Sequence, residues 1–411
     1  MKWLITFIVL ILFTEVYSFI GAKHLASGNK YGYWFYIAYA VSLLLLISFF
    51  VGMFYNFSQK NYTSTSLKNF FFGFVFSLFI AKLVFASFMF FGDVVRGGFW
   101  VKDWLLSNKG AEGFSPSRKK FIAQLSLAIA AIPFASFVYG ITKGKYNFEI
   151  KNIPLGFNDL PKAFDGLKIV QISDIHVGSF DDPSEVARGI EMVNNLNPDV
   201  ILFTGDLVNN RASEMASYVH LFSELKAKHG KFSVLGNHDY GDYVPFSGAE
   251  EKEKNLMDLF SFHKEMGFEL LNNEHRKLEI DGQSIVIAGV ENWGLPPFPQ
   301  YGDIHKTFEN ISDEDFVVLM SHDPSHWDAE IIPHKKHVHL TLSGHTHGMQ
   351  FGVDIPGFKW SPVKYRYPRW SGLYSDNNQH LYVNKGFGFI GFPGRVGMWP
   401  EITLFELRHS S

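Results

Sequence analysis

Two short pairs stand out in this sequence: Asp174 and His176 are separated by one residue, and so are His345 and His347. At a strand end, a period of two sends both side chains of such a pair to the same side. Asp206 follows Gly205 and Asn237 follows Gly236, and a glycine lets a neighbouring group approach closely. His322 lies in Ser321-His322-Asp323. Together these are two aspartates, one asparagine and four histidines. Hard oxygen and imidazole without thiolate suit Mn, Fe, Zn or a mixture. The chain has no cysteine, so disulfides, thiolate zinc sites and cysteine nucleophiles are excluded together. That absence suits either side of a membrane.

Taken singly, each piece is weak. Asp-x-His at a strand end is usually a surface turn, and Asp after Gly is ordinary turn chemistry. Gly344-His345-Thr346-His347-Gly348 and Gly236-Asn237-His238-Asp239 are more specific. The set carries the weight, because each cluster closes a short apolar run. Leu167–Ile172 leads to Asp174, Val200–Phe203 to Asp206, and Phe232–Leu235 to Asn237. Phe316–Met320 leads to His322, and Leu340–Leu342 to His345. Such runs read as buried strands, with Glu185–Leu196 and Ala216–Lys228 as intervening helices. Open α/β sheets place ligands beyond the carboxyl ends of their strands, so five clusters there describe one site.

The order and spacing of these clusters resemble the calcineurin-like metallophosphoesterase superfamily. The resemblance runs from about Leu167 to Leu407, including Asn384-Lys385-Gly386 and Pro400-Glu401-Ile402. Within the superfamily the chain looks most like the membrane-associated bacterial branch similar to UDP-2,3-diacylglucosamine hydrolases. The resemblance implies an α/β fold, a two-sheet β-sandwich flanked by helices, with a dinuclear centre at the strand ends. One divalent metal would take Asp174, His176 and His347; the other would take Asn237, His322 and His345. Asp206 would bridge them, and a water shared by both would lose its proton and attack phosphorus in line. His238 would be the general acid, since imidazole titrates near working pH. Many relatives carry Gly-Asp-x-x-Asp-Arg, where the second Asp orients that histidine and the Arg clamps phosphate. Here Asn209 replaces the carboxylate and Arg211 sits one position late. Asp239 is another possible partner for His238. A neutral amide favours substrates with a good leaving group, such as a pyrophosphate.

His334, His337 and His339 could form a third metal site or a solvated basic turn entering a strand. The loops Trp293–Pro299 and Phe387–Pro393 could cap a substrate, dip toward a bilayer, or simply pack. Arg395, after the second loop, is a candidate phosphate or head-group contact.

These elements occupy only the later part of the 411 residues. Residues 1–141 read as a membrane anchor, 142–166 as a linker and first strand region, and 167–411 as the catalytic domain. Many of the 43 phenylalanines fall in the first third, which points to lipid. Four apolar runs, Trp3–Gly21, Trp34–Phe54, Phe70–Gly92 and Phe121–Tyr139, approach the ~20 residues that cross a bilayer core. The first could instead be a signal peptide behind Lys2, although no clear small-residue cleavage site follows it. Pro133 would kink the fourth, which lipid-embedded helices tolerate. Glu15 and Lys82 fall inside the runs. They could pair in the bundle interior, or Glu15 could be interfacial while Lys82 snorkels.

The segment between runs three and four carries Arg96, Lys102, Lys109, Arg118, Lys119 and Lys120. The first two loops offer only Lys23 and Lys30, then Lys60 and Lys68. The positive-inside rule puts the basic segment in the cytoplasm and everything after Tyr139 outside it. Ser117-Arg118-Lys119-Lys120-Phe121-Ile122 also resembles a twin-arginine signal with lysine for the second arginine. Lys143, Lys145 and Lys151 argue the other way. The net charge of −3, without a basic stripe, disfavours nucleic acid as a partner. The expected function is a membrane-anchored phosphohydrolase for phosphodiester or pyrophosphate bonds of a small-molecule, lipid-linked or envelope substrate. An inactive sensor or scaffold is the alternative; a transporter fits poorly, since two internal charges offer little for a translocation path.

Overall fold

The computed structural model describes residues 2–58, 66–105 and 116–410 and divides into two units, Met1–Thr142 and Lys143–Ser411. Lys60 and Lys109, which entered the charge argument, lie outside the described residues.

The first unit consists of α1 (Lys2–Ala26), α2 (Tyr33–Ser58), α3 (Ser66–Leu105) and α4 (Pro116–Thr142). All four are long and apolar enough to cross a membrane. Leu12, Val16, Leu44 and Ile132 point outward, whereas Ala86, Ala123 and Ala130 are buried at helix contacts. Apolar side chains outside and small residues inside are what lipid-embedded helices require. α3 runs on past its apolar stretch, so Arg96 and Lys102 ride on a helix rather than in a loop. α4 continues through Pro133. Lys82 Nζ donates to Glu15 Oε1 at 2.5 Å in the bundle interior, which answers the question of where these charges go.

The second unit is a two-layer sandwich. Its strands are β1 (Glu149–Phe157), β2 (Lys168–Ile172), β3 (Val200–Phe203), β4 (Gly230–Ser233) and β5 (Glu269–Leu270), followed by β6 (Glu274–Ile280) and β7 (Gln283–Gly289). Then come β8 (Val317–Met320), β9 (Leu340–Ser343), β10 (Val353–Ile355), β11 (Phe358–Trp360), β12 (Gly372–Asp376), β13 (Gln379–Val383) and β14 (Glu401–His409). One sheet has the order β1-β14-β2-β3-β4-β5, the other β12-β13-β9-β8-β7-β6, and β10-β11 is a separate hairpin. Alternation along the strands builds the layers. Ile169, Leu202, Ile287 and Val318 meet in the core that includes residues of both sheets. Their neighbours Val170 and Ile201 face outward onto α5 (Pro183–Asn195) and α7 (Ala249–Glu265). Val286 and Val317 pack beneath α8 (Ile304–Thr307) and Trp327 on the second sheet.

Residues 142–166, expected as a linker and first strand region, hold β1, which pairs in parallel with β14 along nine residues, and Lys145 binds Asp181 at 2.5 Å. One segment differs from expectation. The stretch Ala216–Lys228 holds only a short helix, α6 (Val219–Phe222), after a 3-10 turn. Ser223 Oγ donates to Val219 O, and Asn194 Oδ1 accepts the Lys226 N–H. These side-chain bonds compete with continuation of the helix.

Candidate metal centre

β2, β3 and β4 are adjacent parallel strands of one sheet, and β8 and β9 are adjacent parallel strands of the other. The five polar clusters follow their carboxyl ends, so each sheet supplies part of one site. The chain turns there in a strained way. Asp174, His176, Asp206, His345 and His347 all have positive φ, between 48° and 68°. Left-handed backbone at non-glycine residues costs about 1–3 kcal/mol each where it is strained, and it concentrates at functional sites. The Asp-x-His and His-x-His spacings therefore work through left-handed turns, not through strand alternation. Their consequences differ. Asp174 and His176 stay together with His347, whereas His345 joins Asp206 and His322. Close approach needs the glycines: a Cβ on Gly236 would stand 2.2 Å from Asp206 Oδ1, and one on Gly344 2.1 Å from Asp174 Oδ2.

Within each of these two groups the ligand atoms lie within 4.8 Å of one another. Asp206 Oδ2 sits 3.4 Å from His176 Nε2 and 3.2 Å from His322 Nε2, so one carboxylate oxygen faces both groups. Asn237 Oδ1 is 2.9 Å from His345 Nδ1 and belongs with the second group. Its amide nitrogen donates to Tyr243 Oη at 2.8 Å, which turns the oxygen inward. The buried Nε2 atoms of His176 and His347 have no hydrogen-bond partner. Buried nitrogens without partners are costly, and here they face carboxylates in a set of oxygen and imidazole donors. The residues fit a pair of divalent cations.

Surrounding groups fix the rings. His322 Nδ1 bonds Thr204 O at 2.7 Å, and His176 Nδ1 bonds Val208 O at 3.2 Å. His345 Nε2 meets Tyr367 Oη at 2.7 Å and lies 3.5 Å from Asp323 Oδ2. Although burial opposes it, the imidazoles of His322 and His238 hold the Asp206 carboxyl well below the usual range. Against the same burial, Asp206 and Asp174 push His322 up to about 10. Burial, the neighbouring His176 and the Arg395 cation drive His347 well below its ordinary value, keeping it in the neutral form a metal needs.

His238 lies beside this cluster, its ring centroid 5.0 Å from that of His176. Its Nδ1 bonds the backbone carbonyl of Asn209 at 2.7 Å. The Asn209 amide points elsewhere, to Ser179 Oγ at 3.0 Å. Asp239 does not reach His238 either; its carboxylate accepts the N–H groups of Asp206, Leu207, Val208 and Gly236. Burial lowers the His238 pKa to about 4.

Arg395 departs from its expected role. It is fully buried, donating to the carbonyls of Gly388, Met398 and Lys385, with Nη2 3.1 Å from His347 Nδ1. It braces His347 from behind and offers nothing to a phosphate. Arg211 is held by Glu251 and by Pro245 O over the Phe246 ring. His339 is structural, with Nδ1 accepting from Val317 N and Nε2 bonded to Asp159. Phe387 and Phe389 are core residues, so that loop packs. The other loop reaches the site, where Phe298 meets the His345 ring edge-on at 4.6 Å.

Comparison with known proteins agrees with this geometry. Residues 167–349 match the family model "Calcineurin-like phosphoesterase", and residues 1–145 match "Probable Calcineurin-like phosphoesterase, transmembrane domain". The metallophosphoesterase YkuE of Bacillus subtilis is 33% identical over 72% of this chain and 99% of its own length. The chain belongs to the calcineurin-like metallophosphoesterases. A transmembrane protein with a metallophosphoesterase domain from Danio rerio is 30% identical over 70% of this chain, which spans 62% of that relative. The phosphopantetheinyl hydrolase of Mycobacterium tuberculosis aligns with 49% of this chain and 89% of its own, at 16% identity and a TM-score of 0.30. With four spans and a matching transmembrane domain, this metallophosphoesterase is a multi-pass membrane protein.

Three residues beside the centre escaped sequence reasoning: Asp323, Tyr367 and Tyr243. Asp323 had a signal, since it follows His322 directly. The two tyrosines had none, because nothing in their spacing ties them to the histidines they touch.

Proposed function

We propose that this metallophosphoesterase is a membrane-anchored, metal-dependent phosphohydrolase that cleaves a phosphodiester or pyrophosphate bond of a lipid-linked or cell-envelope substrate. The observation that carries the reading is Asp206 Oδ2, shared between two facing ligand groups. Asp174, His176 and His347 would hold one cation and Asn237, His322 and His345 the other, with Asp206 touching both. Bound there, two divalent ions of Mn, Fe or Zn supply Lewis acidity and an activated water for in-line displacement at phosphorus. His238 is held by the Asn209 carbonyl through Nδ1, which leaves Nε2 as an acceptor when the ring is neutral. A neutral ring does not protonate a leaving oxygen. The arrangement therefore favours leaving groups stable as anions, as in a pyrophosphate or aryl phosphate.

The lipid assignment rests on tethering, which concentrates the enzyme near amphiphilic substrates. The positive-inside argument supports a second unit outside the cytoplasm, against Lys143, Lys145 and Lys151. The chain has no cysteine, so a single cysteine at the exposed Asp281 tests the side directly. In intact cells, labelling by a membrane-impermeant maleimide is expected, and labelling only after lysis would reverse the orientation.

Activity is tested by hydrolysis of bis-p-nitrophenyl phosphate by the full chain in detergent, with Mn²⁺ and with chelator, beside Asp206→Asn. Metal-dependent turnover that vanishes in the variant supports the enzyme. A chain that binds metal but hydrolyses neither diester nor monoester supports the alternative, an inactive sensor or scaffold.

A further inference from the structure

The hairpin β10–β11 is built inside out. In the pairing Val353↔Trp360, Asp354↔Lys359 and Ile355↔Phe358, directly opposed residues share a face. Val353, Ile355, Phe358 and Trp360 thus form one face, and Asp354 and Lys359 the other. The polar face is the one that packs on the protein. Asp354 binds the buried Lys385 at 2.9 Å, and Lys359 donates to Ser371 O at 3.1 Å with its ammonium over the Trp370 ring. The apolar face points away at its tip, leaving Ile355 58% and Phe358 56% exposed, while Trp360 is half-buried beside Phe351. Met349 and Tyr365, flanking the hairpin, are 58% and 77% exposed. In water, a one-sided hairpin ordinarily turns its apolar face inward, so this face is made for a less polar medium.

Its surroundings indicate which one. Beside it the segment from Met349 to Trp370 carries the exposed Lys364 and Arg366, while Lys359 is turned onto Ser371 and Arg369 is paired with Asp328. Apolar tips rimmed by aromatic rings and cations match a bilayer interface with anionic head groups. The second unit is joined through its own chain to the last spanning helix, which ends at Thr142. The segment leaves the centre at His347 and returns to it at Tyr367, which bonds His345.

We propose that β10–β11, with Met349 and Tyr365, is an interfacial docking surface that inserts its apolar face into an anionic bilayer beside the metal centre. The surface does not depend on which bond the centre cleaves.

Because the chain is cysteine-free, an environment-sensitive fluorophore can be placed on Ile355→Cys or Phe358→Cys in the full-length protein. The proteins are reconstituted in vesicles of phosphatidylcholine mixed with phosphatidylglycerol, with nitroxide-bearing lipid as quencher. Quenching at 355 and 358 is expected to exceed that at Asp281→Cys, in the β6–β7 turn, by about twofold or more, and to weaken without phosphatidylglycerol. With the label at Met349→Cys, adding Ile355→Glu is expected to abolish the excess. Equal quenching at 281, 355 and 358 would overturn the proposal. So would a blue shift at 355 that follows protein density without lipid quenching, which would mark a contact between copies.

Discussion

At residue scale, the orientation of His238 shows how a motif can be altered without losing its geometry. The Gly-Asp-x-x-Asp-Arg pattern that this stretch resembles has a carboxylate where this chain has Asn209, yet the Asn209 backbone carbonyl already holds Nδ1 at 2.7 Å. The side chain should therefore be dispensable. Asn209→Ala and Asn209→Asp are expected to keep kcat within about threefold of wild type on both aryl and alkyl diesters. A large gain for Asn209→Asp on alkyl diesters alone would show that the carboxylate reaches the ring. Asp323 acts through another residue, positioning His345 from its Nε2 side together with Tyr367. Asp323→Ala is expected to weaken metal affinity about 10–100-fold while the fold persists. Calorimetric titration with Mn²⁺ measures this, and unchanged affinity would leave the orienting role to Tyr367 alone.

At the scale of elements, the loops after β3 and β4 are tied together by Asp239, and α7 is seated on the sheet by His263. The His263 ring is buried, Nδ1 bonds Ser233 Oγ at 2.9 Å, and the ring stacks on Phe203. Burial lowers its pKa from 6.5 to about 3. Between those values the unfolded chain binds a proton that the folded chain does not, so stability falls as pH drops below 6.5. The expected slope from this group is about 1.4 kcal/mol per pH unit. His263→Gln should lower stability at pH 7 but shrink the difference between pH 7 and pH 5 by about 2 kcal/mol. Urea unfolding of the second unit within the full chain, at both pH values, reads that difference. An undiminished difference would assign the acid sensitivity to the other buried histidines.

For the whole molecule, each unit closes its own core, and the described residues of the first include a buried ion pair. Lys82 and Glu15 join α3 to α1 at 2.5 Å, with Ser42 as a further neighbour of the ammonium. A single reversal leaves a like-charge pair out of water, at a cost of about 3 kcal/mol or more. Glu15→Lys and Lys82→Glu alone should each lower the melting temperature of the detergent-solubilised protein, and the double exchange should recover most of the loss. If the double variant melts as low as the singles, the pair is not what joins these helices.

The sequence alone determined what depends on local chemistry and counting. Four apolar runs long enough for a bilayer were legible because lipid demands unbroken apolar composition. The seven candidate ligands were legible because oxygen and imidazole donors closed successive apolar runs. How those residues are divided came with the resemblance and not from their spacing, and only the tertiary structure shows the physical cause. His345 and His347 are two apart, yet left-handed turns send them to different groups, and sequence spacing carries no backbone dihedral. Arg395 shows the same limit: a lone arginine after a loop can face a ligand or be buried, and its hydrogen bonds to Gly388, Met398 and Lys385 come from the folded backbone. The inverted hairpin was equally hidden. Alternation in Val353–Trp360 reveals two faces, but the partner that fixes the polar face inward, Lys385, lies far along the chain and meets Asp354 only in the fold.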